Sequence, residues 1–289
     1  MEPPQARNGE AASIEHVTAA DGVRLALHRL GRPGAAPILL VAGAFSDHRF
    51  WLGTRGAGFA REAAAAGFEA FVLDHRGHGE SERPQPAEKW SFRDWIVSDV
   101  PAALERAGRS GRAVVVGHSA GGAAVLSALA ARPELCSHVA GVIAAATPAP
   151  VLSAFRRSGA WTAERLSQLF GRFPARALGL GGEDELSEVM AQWMRWNRRG
   201  RWGWNGGPNL TAALRDLSPP VLVVAGSGDR VFAPPELCRA LAASIGGGAE
   251  FREFGKRLGA SRDSCKLLEH GICDGCALAG ESLVGCGVR

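Results

Sequence analysis

The chain has 289 residues, with 33 lysines and arginines against 29 aspartates and glutamates, which gives a net charge of +4. A chain of this length buries roughly three quarters of the surface that its unfolded form exposes, so its core needs neither disulfides nor a metal. With 46% hydrophobic and 21% charged residues, the composition predicts one compact domain and excludes a largely disordered chain. Apart from one dense cluster between Arg195 and Arg201, the positive charge is spread along the chain. Because nucleic-acid-binding proteins gather lysine and arginine on one face, we expect no nucleic-acid partner.

The sequence also lacks the patterns of a membrane protein. No stretch has the roughly 18 consecutive apolar residues of a membrane-spanning helix, and residues 1–13 lack the apolar region of a signal peptide. We therefore expect a cytoplasmic protein without stable membrane insertion, whose residues 1–13 form a flexible N-terminus. The oligomeric state is left open by the sequence.

Four of the six cysteines lie near the C-terminus, at positions 265, 273, 276 and 286. Cys273 and Cys276 are spaced like zinc ligands or a redox pair, but no second closely spaced ligand pair accompanies them. Reduced thiols are the favoured interpretation, and we expect no metal and no cofactor. The composition changes so sharply near residue 264 that we predict a divergent tail, rich in cysteine and glycine, over 264–289.

Strand and helix patterns alternate along most of the chain. A hairpin is predicted within residues 16–30, around the turn signal Asp21-Gly22. Further strands are predicted at 37–43, 68–73, 113–116, 139–145, 221–225 and 249–254, and helices at 57–67, 91–107, 120–131 and 235–244. This alternation predicts an α/β fold with a doubly wound, mostly parallel sheet.

The alternation is interrupted between residues 149 and 217, where helical periodicity replaces every strand-like pattern. We predict a helical cap there, inserted into a core of residues 14–148 and 218–263. The cap holds five of the eight tryptophans, and these either line an apolar pocket or form the cap's own core.

The segment Gly117-His118-Ser119-Ala120-Gly121 directly follows the predicted strand at 113–116 and precedes a predicted helix. A G-x-S-x-G motif in this position is typical of a nucleophile elbow, a strained turn that exposes a serine hydroxyl at the sheet edge. The N-terminus of the next helix stabilises negative charge that develops beside it. This context makes a chance match improbable and predicts that Ser119 carries the chemistry.

Together with this motif, four further features make residues 16–263 resemble the α/β-hydrolases, and in particular bacterial serine hydrolases grouped with lysophospholipase-like and monoglyceride-lipase-like proteins. They are Val41-Ala42-Gly43-Ala44-Phe45, the turn Asp74-x-Arg76-Gly77-x-Gly79-x-Ser81, the helical cap, and Gly226-Ser227-Gly228-Asp229-Arg230-Val231. The resemblance implies that Ser119 is the nucleophile and that Asp229 is the acid that orients the base. It also implies an oxyanion hole formed by the backbone N–H groups of Ala44 and Ala120.

Three side chains are expected to contact the substrate: Phe45, which follows the oxyanion position, His118, which precedes the nucleophile, and Trp193 in the cap. We expect His118 to pack or to contact substrate and not to act as the base, because the elbow points neighbouring side chains away from the serine hydroxyl.

The base is the difficult assignment. In this fold the chain order is serine, acid, histidine, and His270 is the one histidine of eight that follows Asp229. Two interpretations are open. Either the loop from 255 to 270 brings His270 within hydrogen-bond reach of Ser119 and Asp229, or His270 is a solvent-exposed tail residue and the protein lacks a working base.

The leading hypothesis is a cofactor-independent serine hydrolase that cleaves a small-molecule carboxylic ester, with an apolar acyl group, through an acyl-enzyme intermediate. The alternative is a catalytically impaired protein of the same fold that binds an apolar ligand or a protein partner. Acyl transfer to another acceptor, or peptidase activity, would use the same residues. A serine at the elbow argues against dehalogenase or epoxide hydrolase chemistry, for which an aspartate would be expected there.

Overall fold

A computed structural model describes residues 12–53, 57–83, 85, 89–150, 161, 164–165, 167–169 and 171–255 of the chain. The N-terminal residues 1–11, the cysteine-rich tail 264–289 and the expected base His270 lie outside these ranges. The division of the chain into core, cap and tail therefore stays a prediction.

Eight strands form one sheet, in the order β1-β2-β4-β3-β5-β6-β9-β10. The strands are β1 (Ser13–Thr18), β2 (Arg24–Leu30), β3 (Pro37–Val41), β4 (Glu69–Leu73), β5 (Ala113–His118), β6 (Val139–Ala145), β9 (Val221–Gly226) and β10 (Glu250–Phe254). β2 is antiparallel to β1 and to β4, and all other neighbours are parallel. The N-terminal hairpin and the mostly parallel sheet are confirmed.

Helices cover both faces of this sheet. They are α1 (Arg49–Leu52), α2 (Phe59–Ala65), α3 (Phe92–Asp94), a π-helical turn (Trp95–Asp99), α4 (Val100–Ala107), α5 (Ala120–Ala131), α6 (Ser187–Arg199), α7 (Leu210–Ala213) and α8 (Pro235–Ser244). None of the described helices is long and apolar enough to cross a membrane.

β3 shows why its sequence is a continuous apolar run. Leu39 and Val41 belong to the core cluster that contains residues of α4, α5 and α8, whereas Ile38 and Leu40 belong to the cluster with α1 and α2. A parallel strand that is covered on both faces has no side chain that water can reach, so alternation disappears from its sequence.

The prediction that the segment 149–217 contains no strand is wrong. A small hairpin pairs β7 (Arg172–Phe173) with β8 (Glu185–Leu186) in antiparallel register. Two residues are too few to show the alternation by which strands are recognised. Among the described residues of this segment, the helical elements with assigned bounds are α6, α7 and a 3-10 helical turn (Leu214–Asp216).

The end of β5 and the start of α5 approach the rest of the sheet at backbone distance. A Cβ atom added at Gly121 would lie 2.3 Å from the carbonyl oxygen of Ala42, and one at Gly117 would lie 2.5 Å from the Cα of Gly122. Distances this short exclude any side chain, so the glycines of the motif are required by packing.

Replacing Gly121 with alanine is expected to lower the free energy of unfolding by about 1–3 kcal/mol, because the new methyl group must displace backbone atoms. The direction of this change is informative. A glycine-to-alanine substitution within a helix ordinarily raises the free energy of unfolding by about 1 kcal/mol, whereas here a decrease is expected. Denaturant unfolding of both proteins measures the difference.

Gly141→Ala on β6 is the matched control, because the nearest atom to its new Cβ would be 3.5 Å away. Equal effects of the two substitutions would contradict the close approach at Gly121.

Candidate active site

Ser119 lies at a sharp turn between β5 and α5. Its φ of 50° and ψ of −119° place it outside the regions that residues with a side chain ordinarily adopt. The turn is held by its backbone: the N–H of Ser119 donates to the carbonyl oxygen of Ala145 at 2.8 Å, and its carbonyl accepts from the Thr147 hydroxyl at 3.1 Å. This is the strand-turn-helix geometry that the motif predicted.

Backbone strain is concentrated around this turn. Of the described residues other than glycine, three have a positive φ: Phe45, Ser119 and Ala146. All three line one cavity. Such conformations cost about 1–3 kcal/mol each and occur preferentially at functional sites, so their clustering marks this cavity as the candidate site.

The cavity has a volume of about 480 Å³ and lies between the carboxyl ends of β3, β5, β6 and β9 and the segment that carries β8 and α6. The structure brings together seven of the eight residues that the sequence singled out. These are Ala44, Phe45, His118, Ser119, Ala120, Trp193 and Asp229. The eighth, His270, lies outside the described residues, and the roles of all eight stay proposals.

The loop after β3 passes directly over the elbow. A Cβ atom added at Gly43 would lie 3.1 Å from the Cβ of Ser119 and 3.0 Å from the carbonyl oxygen of His118. Ala44 therefore begins the cavity wall beside Ser119, while Ala120 forms the first turn of α5 on its other side. The first N–H groups of a helix have no partner within the helix and favour negative charge near them.

Asp229 follows β9 in a tight turn, with its N–H donating to Gly226 O at 3.2 Å. Its Oδ1 accepts from the N–H groups of Val231 at 3.1 Å and Phe232 at 3.0 Å. Within the described part of the chain these side-chain bonds reach Oδ1, so Oδ2 can accept a further hydrogen bond. The carboxylate is thus oriented by its own turn before any base approaches.

His118 is buried beneath the cavity and stacks on Phe50, with 4.5 Å between the ring centroids. Burial lowers the pKa of His118 to about 4, and the nearby charge of Asp229 opposes this effect only in part. The imidazole is therefore neutral at pH 7, with a weak affinity for protons.

The wall opposite the elbow is apolar. Val189, Met190, Trp193 and Met194 of α6 line it, together with Phe92 of α3. Of the five tryptophans in the predicted cap, Trp193 lines the cavity, Trp196 and Trp202 are buried in the core, Trp204 packs against the core half-buried, and Trp161 is half exposed. These aromatic residues thus lie in the cavity wall, in the core and at the surface, and their role towards a substrate stays a prediction.

Sequence reasoning missed the ionised groups of the cavity wall. Asp47 and Arg49 line it as an ion pair, in which the Arg49 Nε donates to Asp47 Oδ2 at 2.9 Å. These two residues could have been predicted from their position just after β3, because ligands in α/β folds bind at the carboxyl edge of the sheet. Glu185 on β8 also lines the cavity, and no sequence signal marked it.

One cluster could be mistaken for a metal centre. His28, His48 and Asp74 offer ligand atoms within 4.8 Å of one another. Both imidazoles lie 2.9 Å from the same carboxylate oxygen, Asp74 Oδ2, which also accepts from the Glu80 N–H at 3.0 Å. The two rings are stacked, 3.9 Å apart and 28° from parallel. Each imidazole is already hydrogen-bonded to Asp74, so the geometry fits a hydrogen-bonded hub around this carboxylate.

The contribution of this hub to the stability of the fold depends on pH. Although burial opposes them, the bonds from His28 and His48 hold the pKa of Asp74 well below its usual range. Burial likewise opposes a raised pKa for His48, but its bond to Asp74 prevails and the pKa of His48 is raised. A raised histidine pKa gives stability that is fully present below about pH 6.5 and is lost as the pH rises through the folded-state value.

We therefore expect His48→Gln to destabilise the protein most below about pH 6.5, with a difference from the wild type that shrinks towards pH 9. Denaturant unfolding across this range measures it. The exposed His16 on β1 supplies the matched control, and His16→Gln should not reproduce the trend. A pH-independent difference for His48→Gln would contradict the ion pair.

A strained serine elbow, an acid after a later strand and a shared cavity at the carboxyl edge of a mostly parallel sheet define an α/β-hydrolase type of site. The sequence profile of the Alpha/beta hydrolase family matches residues 38–255. The match covers most of the chain, and the protein belongs to this family.

Individual relatives are more distant. Epoxide hydrolase A of Mycobacterium tuberculosis (strain ATCC 25618 / H37Rv) is 31% identical over 149 residues, which are 50% of this chain and 44% of the relative. The chain thus spans less than half the length of that relative. The esterase RhEst1 from Rhodococcus sp. ECU1013 has a TM-score of 0.61 and 20% identity, over 96% of this chain and 100% of that one. A thermophilic esterase from Thermogutta terrifontis has a TM-score of 0.65 and 22% identity, with the same coverage. At these identities the two structures show the fold alone.

Proposed function

We propose that the protein is a serine hydrolase that cleaves carboxylic esters of small molecules through an acyl-enzyme intermediate. The observation that carries this proposal is the strained elbow, which places Ser119 in the same cavity as Asp229. The esterases among the structural neighbours support the fold that such a site needs.

In this mechanism the Ser119 hydroxyl attacks the ester carbonyl while His270 takes its proton. The developing oxyanion is stabilised by the N–H groups of Ala44 and Ala120. Asp229 accepts a hydrogen bond from the imidazole through Oδ2 and stabilises the imidazolium. The proton then passes to the departing alcohol, and water releases the acid by the same sequence of steps.

His270 is proposed as the base because His118, which lines the cavity, is poorly suited to that role. A base with a pKa of about 4 has little affinity for the serine proton at neutral pH. His118 also directly precedes Ser119 and is held by its stack on Phe50.

The cavity supports an ester with an apolar acyl group. Aromatic and methionine side chains from α3 and α6 form the wall opposite the elbow, as in sites for hydrophobic ligands. Monoglycerides and lysophospholipids are therefore suitable substrates for a first panel. Opening an epoxide through an ester intermediate needs a carboxylate nucleophile, and the hydroxyl of Ser119 favours acyl transfer despite the relative that is an epoxide hydrolase.

Steady-state hydrolysis of p-nitrophenyl butyrate tests the proposal. We expect Ser119→Ala and His270→Ala each to lower kcat by about 10³-fold or more, because nucleophile and base act as one unit. Asp229→Asn should cost about 10³- to 10⁴-fold by disturbing the orientation of the imidazole.

His118→Asn is the matched control, since it removes the other imidazole in the cavity, and we expect it to retain far more activity than His270→Ala. If the wild type is no faster than Ser119→Ala, the hydrolase proposal is wrong. The alternative, a binding protein for an apolar ligand, would then be tested by titration with a fatty acid.

Acyl-chain length tests the apolar wall. Trp193→Ala enlarges the cavity, and we expect the ratio of kcat/KM for octanoyl over butyryl ester to rise by about tenfold. Trp161→Ala is the control, because the Trp161 side chain is 50% exposed and does not line the cavity. An unchanged ratio in Trp193→Ala would show that the acyl chain lies elsewhere.

A further inference from the structure

Two buried ionisable side chains beside the apolar wall take no part in the proposed mechanism, and one of them, Glu185, lines the cavity itself. Glu185 of β8 and His78 of the turn after β4 are both almost fully buried. His78 Nε2 lies 3.4 Å from Glu185 Oε2. No hydrogen bond with good geometry reaches either of these two atoms from the described residues, so each is the other's main electrostatic partner.

Glu185 lies next to the helix that forms one wall of the cavity, so its contact with His78 affects the position of that wall. Its Oε1 accepts from the N–H of Leu186 at 2.9 Å, and α6 begins at the next residue, Ser187. The first turns of α6 carry Val189 and Met190 of the cavity wall. An anchor at Glu185 therefore fixes the start of the helix that shapes this wall.

The same hairpin also contacts the loop after β3, which contains Ala44, the proposed oxyanion-hole residue. The Glu183 N–H donates to Phe45 O at 2.9 Å, and Phe173 of β7 stacks on the Phe45 ring at 5.4 Å. Phe45 has a left-handed backbone and directly follows Ala44. Movement of the hairpin would thus be transmitted to both walls of the cavity.

We propose that Glu185 and His78 are a charged positioning pair that holds the β7–β8 hairpin and α6 over the cavity, so that catalytic efficiency depends on a protonated His78. The inference rests on the proposed esterase function. It assigns a role to two residues that act through their neighbours and do not contact the reacting atoms.

The charged and titratable groups around His78 support this dependence. Glu185 and Glu183 face it from the hairpin, His75 and the Arg76 carbonyl face it from its own turn, and the edge of Trp95 faces it from the π-helical turn. Burial alone would lower the pKa of His78, but Glu185, the Arg76 carbonyl and Glu183 together raise it.

His75 adds little repulsion at neutral pH. Its burial lowers its pKa despite the carboxylate of Asp99 3.7 Å away, so its ring is neutral there. Because the pKa of His78 is raised, the ion pair is complete below about pH 6.5 and is lost as the pH rises through the folded-state value. The expected loss is on the alkaline side, opposite to the acidic limb of a catalytic histidine base.

The test compares pH profiles of kcat/KM for p-nitrophenyl butyrate in the full-length protein, followed at the isosbestic wavelength of p-nitrophenol. We expect the wild type to lose efficiency on the alkaline side. Glu185→Gln should lower kcat/KM at pH 7 by about tenfold, since small displacements of a site are costly, and should abolish the alkaline decline. His78→Gln should behave alike, and the double variant should be no worse than either single one.

Glu188→Gln on α6 is the matched control, because Glu188 pairs with Arg195 at 3.2 Å and does not line the cavity. It should stay within about twofold of the wild type, as expected for a surface ion pair. If Glu185→Gln keeps both the wild-type efficiency and the alkaline decline, the positioning pair is refuted, while the difference between wild type and Ser119→Ala still upholds the esterase. If the wild type does not hydrolyse the ester, both proposals fail.

Glu185→Gln leaves the buried imidazole of His78 without its main partner and could fail to fold. In that case the double variant decides, because it removes both buried charges together. An alkaline decline that persists in the double variant overturns the inference.

Discussion

The site depends on a backbone contact between the start of α5 and the ends of β3 and β5. Gly121 approaches the carbonyl of Ala42, and Gly117 approaches Gly122, at distances that admit no side chain. This contact brings a strand end, a helix N-terminus and the loop after β3 to one place. Ser119, with its positive φ, lies at this contact, where β5 turns sharply into α5.

A second constraint is electrostatic and centres on the turn from Asp74 to Ser81. At one end, Asp74 accepts hydrogen bonds from β2 and from the start of α1, and so joins the sheet to the segment after β3. Further along, Gly79 N–H and His78 face the acidic residues Glu183 and Glu185 of the hairpin. A single turn therefore links the antiparallel edge of the sheet to the elements that close over the cavity.

The sheet and the elbow could be predicted from sequence because their signals are local. The apolar run of β3 reflects burial on both faces, and the bounds 120–131, 139–145 and 235–244 match α5, β6 and α8. The site residues that were predicted follow strand ends, where the chain itself sets their direction.

The parts of the fold and of the site that the sequence did not predict depend on contacts between segments far apart in the chain. The contact of His78 with Glu185 and the hub around Asp74 join residues whose neighbours in sequence give no sign of a partner. β7 and β8 are too short to show a pattern. The five tryptophans of the predicted cap lie in the core, in the cavity wall and at the surface, a division made by tertiary packing that residue type alone does not specify.

The clustering of strain at Phe45, Ser119 and Ala146 has a consequence for how this protein can change. Glycine at Ala146 would relieve about 1–3 kcal/mol of backbone strain against roughly 0.5–1 kcal/mol for the greater freedom of the unfolded chain, so selection for heat resistance would find this residue early, whereas glycine at Phe45 would also remove the ring that stacks on Phe173. The same changes would loosen the loops that shape the cavity. Variants selected for thermal stability and variants selected for catalytic rate should therefore differ first in the residues around this cavity. The core strands carry no such strain, and neither kind of selection would favour changes there.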